Sequence, residues 1–184
     1  MRKTMVTFAA ILLLVVGSRA RAGAVLTFDK PGFEWSHPAG NGSPYHVWDA
    51  GDYWAQNFTG TGIASAESMA LHLKYDHNTL GETLNMKVLL NDGLIGTFDI
   101  EAGDDGYDGV FSLGAIAGPD FRIQLEATNT IGSGMGAVSL RLGDSYATLT
   151  GASVPEPSAI ALAGSALMAG AVVGLRRRCL ARVA

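Results

Sequence analysis

Between residues 23 and 152 apolar and polar side chains alternate in short runs with a period of two, which predicts strands with one buried face. Phe121, Ile123, Leu125 and Ala127 alternate with Arg122, Gln124, Glu126 and Thr128. Met69, Leu71, Leu73 and Tyr75 alternate with Ala70, His72 and Lys74, and Leu84, Met86, Val88 and Leu90 form a third run. Shorter runs over 94–100, 110–113, 138–142 and 145–150, with earlier ones at 25–28 and 53–58, complete the set. Turn residues fall between them: Asn91-Asp92-Gly93, Gly118-Pro119-Asp120 and Gly132-Ser133-Gly134. Asn, Asp and Gly tolerate the positive φ of a tight hairpin, so the first of these predicts one. Nine or so short strands with glycine-rich turns predict an all-β fold, a single antiparallel β-sandwich of jelly-roll-like form.

The two ends break this pattern. Arg2 and Lys3 precede an apolar run over 6–16, and Ala20-Arg21-Ala22 follows as a small-x-small site. Together they predict a signal peptide over 1–22, cut after Ala22, with Ala22-Gly23-Ala24 as a second site. At the other end Val154-Pro155-Glu156-Pro157-Ser158 leads into an uncharged apolar run over 159–175, then Arg176, Arg177 and Arg178. A helix over 159–175 spans about 25 Å, just short of a hydrocarbon core of about 30 Å. The arginines hold the C-terminus in the cytoplasm, so the domain lies outside. Gly164, Gly170 and Gly174 make this transmembrane helix a weak anchor.

Pro-Glu-Pro, a short apolar helix and a terminal arginine cluster, in that order, resemble the PEP-CTERM sorting signal; the resemblance covers Val154 to Arg178, within a C-terminal segment over 153–180. The resemblance implies recognition by a membrane-embedded exosortase, a cysteine-type transpeptidase, and removal of the tail near Pro155–Pro157. It also implies passage from an inner-membrane intermediate to the cell surface or the extracellular polysaccharide matrix. Cys179 is outside the pattern; a juxtamembrane cysteine can carry a lipid. The run 87–98 is similar to a hairpin of carbohydrate-binding and galactose-binding-like sandwiches, which implies fold and not function.

Removing both ends leaves residues 23–152, about 130 residues, the size of one domain. The 48% hydrophobic content and the net charge of -4 describe the whole chain. Both terminal segments are apolar and basic, so the mature domain is more polar and more acidic. That balance argues against nucleic acid and anionic lipid as partners. The only cysteine lies in the tail, so the domain has no internal disulfide.

Chemistry-bearing candidates are few. Asp104, Asp105 and Asp108, in Gly103-Asp104-Asp105-Gly106-Tyr107-Asp108-Gly109, are weak calcium candidates, since Gly106 and Val110 stand where an EF-hand places oxygen ligands. His37, His46, His72 and His77 are scattered and lack zinc-site spacing. In the aromatic stretch 45–54, Trp48, Tyr53 and Trp54 suit stacking on sugar rings, with exopolysaccharide as partner. Their alternative role is to fill the end of the core, the commoner fate of tryptophan. No nucleophile elbow or phosphate loop is present, and the sequence reads as a non-enzymatic surface or matrix protein. A carbohydrate-binding module is the second reading and a glycan-cleaving enzyme the third.

Overall fold

The computed structural model describes residues 21–36, 45–76, 81–132 and 138–154. All but Val154 belong to a compact unit ending at Ser153. The signal-peptide region before Arg21, the Pro-Glu-Pro, the helix expected over 159–175 and the arginine cluster lie outside the described residues, as do His37 and His77. Among the described residues every regular element is a strand, and no helix is long and apolar enough to cross a membrane.

Among the described residues eleven strands form two antiparallel sheets. The first is built on β5 (Ile63–Asp76), fourteen residues long. β8 (Gly106–Ala117) pairs along one edge of β5. The other edge is taken by β11 (Tyr146–Ser153) and, at Tyr75 and Asp76, by β10 (Val138–Leu140). β1 (Arg21–Thr27) lies outside β11, and β3 (His46–Val47) outside β10. The second sheet runs β2 (Phe33–Trp35), β4 (Tyr53–Phe58), β9 (Phe121–Ala127), β6 (Leu84–Leu90), β7 (Gly93–Ile100). Through β6 successive strands switch sheets, and the chain crosses again into β8, β9 and β10, as in a jelly-roll-like sandwich.

Alternation explains the core. Met69, Leu71, Leu73 and Tyr75 of β5 meet Leu84, Met86, Val88 and Leu90 of β6 and Phe121, Ile123, Leu125 and Ala127 of β9 in one buried cluster. The intervening residues face water. Each large apolar side chain buried this way contributes about 1.5–3 kcal/mol. The β6–β7 hairpin turns on Asn91 (φ 50) and Asp92 (φ 64), the positive pair that a type I′ turn demands.

β5 is irregular at two places, around Ala64 against β11 and around Glu67. Its register against both β8 and β11 shifts around Glu67. There Gly151 comes so close to β5 that a Cβ would stand 1.9 Å from the Ser65 carbonyl oxygen, so only glycine fits. The β10–β11 connection is clamped by buried Ser145, whose hydroxyl accepts from Lys74 N (2.9 Å) and donates to Lys74 O (3.2 Å).

Candidate functional site

Period two decides the aromatic stretch. Tyr53 and Trp54 are consecutive in β4, so their side chains leave opposite faces of the sheet. Trp54 is fully buried, and its Nε1–H donates to the Tyr45 carbonyl at 2.6 Å. Tyr45 in turn stands edge-on to Phe33 and Trp35, with centroids 5.3 and 5.0 Å away. Trp48 is half-buried and packs on the core, while its carbonyl accepts from Ile131 N at 2.8 Å. Asp52 organises this corner: Oδ2 accepts from the amides of Trp48 and Asp49, both at 3.0 Å, and Oδ1 from the Ser36 hydroxyl at 3.2 Å. Trp54 therefore has no face for a sugar, and Trp48, Tyr53 and Trp54 do not form one platform.

The acidic loop disperses its carboxylates. Asp104 Oδ2 accepts from Glu101 N at 3.0 Å and closes the turn after β7. Asp105 lies 3.8 Å from Lys74 Nζ, and Asp108, already in β8, lies 2.5 Å from His72 Nδ1. Among the described residues no group of three or more His, Cys, Asp or Glu is placed to hold a metal ion.

Beside this loop, Tyr75 is buried and donates its hydroxyl hydrogen to the Gly106 carbonyl at 2.9 Å. Burial, then the charges of Asp104 and Asp105, raise its pKa. The folded chain thus keeps a proton that an ordinary phenol in the unfolded chain releases near about pH 10. This stability is fully present below about pH 10 and is lost as pH rises beyond it. The urea midpoint of the wild type is expected to fall between about pH 9 and about pH 11, and the fall to shrink in Tyr75→Phe. An equal fall in both proteins would contradict this assignment.

The two outer faces differ in kind. On the second sheet the side chains close on one another in a chain of contacts. Asn57 donates to Glu34 (3.0 Å), Arg122 to Glu34 (2.8 Å) and Gln124 (3.1 Å), Gln124 to Glu126 (3.0 Å), and Lys87 pairs with Glu126 (2.7 Å). Tyr53 lies on this face, opposite Glu126.

On the first sheet the registers align outward positions in rows: Thr27, Tyr146, His72, Asp108; then Val25, Thr148, Ala70, Val110; then Gly23, Thr150, Ser68, Ser112. His72 holds this face together. Its ring lies 4.8 Å from that of Tyr146, at 30°, and Nδ1 bonds Asp108. Ser68 and Thr150 share a hydrogen bond of 2.5 Å. A cavity of about 510 Å³ opens beside them, lined by Arg21, Gly23 and Glu67 among others. No motif marks these residues, which lie far apart in sequence; only the strand pairing unites them.

The fold is similar to that of several solved domains. One is a family 35 carbohydrate binding module from an environmental isolate, with 16% identity, a TM-score of 0.47, and coverage of 72% of this chain and 98% of that one. Another is the CBM35 from Cellvibrio japonicus Abf62, with 14% identity, a TM-score of 0.44, and coverage of 73% and 100%. At these scores the likeness is loose, and what those modules bind belongs to them alone. No curated protein matches the sequence. Residues 153–178 do match a family, the PEP-CTERM protein-sorting motif, so the tail that begins where β11 ends carries a sorting signal that implies export and delivery to the cell surface.

Proposed function

We propose that this chain is the precursor of an exported, non-enzymatic β-sandwich that an exosortase releases from its membrane tail for a structural or adhesive role at the cell surface or in the extracellular matrix. The match at 153–178 carries the reading. In this scheme the signal peptide ends at Ala20–Ala22, Val154 and Pro155–Pro157 mark the second cut, and Arg176–Arg178 hold the tail against translocation.

The topology supports it. β1 begins beside the end of β11, with Arg21 opposite Ala152, so the chain enters and leaves the sandwich at one end. β5 runs from Ile63, opposite Ser153, towards Asp76, and the turn at 101–105 precedes Gly106, opposite Lys74.

The test is fractionation of cells with and without the exosortase. The protein is expected on the surface or in the medium of the first strain and in the inner membrane of the second. The same distribution in both strains would overturn the proposal.

Carbohydrate binding is the second reading, favoured by the open outer face of the first sheet. Glycan cleavage has less support. The carboxylates of Glu34 and Glu126 are engaged with Arg122 and Lys87.

A further inference from the structure

We infer that the outer face of the β1–β11–β5–β8 sheet binds a neutral polysaccharide, with Tyr146 as its stacking platform. The inference rests on the carbohydrate-binding reading and names its site and ligand class.

Three observations lead there. First, this face leaves large apolar side chains in water: Val25 is 67% exposed, Val110 77% and Tyr146 38%. Between them stand Thr148, Ala70, Ser68 and Ser112, all short. With strands about 4.8 Å apart and rows about 6.6 Å apart, the three rows make a flat field of roughly 14 by 13 Å. The opposite outer face has no such field, because its long side chains interlock.

Second, the field has the amphipathic character of a sugar ring. Tyr146, Val25 and Val110 offer apolar area to ring C–H groups, and the hydroxyls of Thr148, Thr150, Ser68 and Ser112 offer hydrogen bonds to its hydroxyls. The Tyr146 ring is held against His72, which Asp108 fixes in turn, so little side-chain freedom is lost on binding.

Third, the charge pattern selects a neutral ligand. The three rows contain no Lys, Arg or Glu, and their one acidic group, Asp108, is bonded to the one imidazole, His72. A uronate or sulfate would find no cation among them.

Gly23 fits this view. A Cβ there would meet only Leu149 O at 3.8 Å and Thr150 Cγ2 at 4.0 Å, ordinary contacts. Glycine is therefore not required for packing, and it keeps the cavity floor open. Cleavage after Ala22 takes Arg21 from that cavity but leaves Tyr146, His72, Thr148 and Val110 in place.

The test uses the full chain purified in detergent and the host's extracellular polysaccharide, separated by ion exchange into neutral and acidic fractions. Binding is followed by isothermal titration, and self-association by sedimentation. The neutral fraction is expected to bind, and Tyr146→Ala and Val110→Glu each to weaken binding about tenfold or more. Tyr146→Phe is expected to retain it. Val110 is 77% exposed, so the melting temperature of Val110→Glu should match the wild type. Binding of the acidic fraction alone, binding of neither, or undiminished binding by both variants would overturn the inference. So would a dimer broken by Val110→Glu, since a second copy would then own the face. Surface delivery of Tyr146→Ala is expected to be normal, which separates failure here from failure of the sorting proposal.

Discussion

Trp54→Ala is expected to cost about 3–5 kcal/mol, a large part of the roughly 5–15 kcal/mol that holds a domain folded. Among the described residues Trp54 is the largest fully buried side chain, and through Tyr45 it joins Phe33 and Trp35 in the aromatic corner. It stands on β4, which lies between β2 and β9 in the sheet, its ring is buried in the core, and its Nε1–H satisfies the Tyr45 carbonyl at 2.6 Å. Truncation opens a cavity and orphans that carbonyl. Trp54→Phe refills much of the space but not the hydrogen bond, and is expected to cost about 1–3 kcal/mol. Guanidinium titrations of both variants give the ordering; an alanine variant as stable as the wild type would contradict the buried placement.

The second large effect falls on processing. Replacing Arg176, Arg177 and Arg178 together with glutamine is expected to abolish release from the membrane. An apolar run just short of the bilayer core relies on that cluster to fix its orientation and depth. Immunoblots of membrane and surface fractions measure the outcome, which should be nearly complete retention of the uncut form. Release at the wild-type rate would show that the arginines are dispensable. Replacing Arg141, paired with Asp76 on the sandwich, with glutamine serves as the control and should leave release unchanged.

How much of this could be read from the residues differs from element to element. β6 begins and ends where the alternation does, and β9 within one residue of it, because each buries one face against the core; β4 covers the expected 53–58 without alternating, since Trp54, Ala55 and Gln56 are all buried. The Asn91-Asp92 turn was legible because its chemistry is local. The first half of β5 was not. Irregularities around Ala64 and Glu67 space its buried residues as Ile63, Ala66 and Met69, three apart, which hides the period of a strand. β2 and β3 escaped because three and two residues cannot display a period.

The candidate sites divide the same way. The tail was readable, since its three parts are contiguous. The stretch 45–54 drew attention by composition, yet alternation sends Tyr53 and Trp54 to opposite faces, a fact already implicit in the strand expected over 53–58. His72 and Asp108 stood out only as separate metal candidates and Tyr146 not at all, because their union depends on the pairing of β5 with β8 and β11, which local pattern does not encode.

The most direct test of the central claim is the intact mass of the protein recovered from outside the cell. The account predicts loss of both ends: an N-terminus created at Ala20–Ala22 and a C-terminus between Val154 and Pro157, present only when the host has its exosortase. Any added mass would identify what the new C-terminus is joined to. A full-length tail that remains in the membrane of wild-type cells would contradict it and leave an ordinary tail-anchored surface protein.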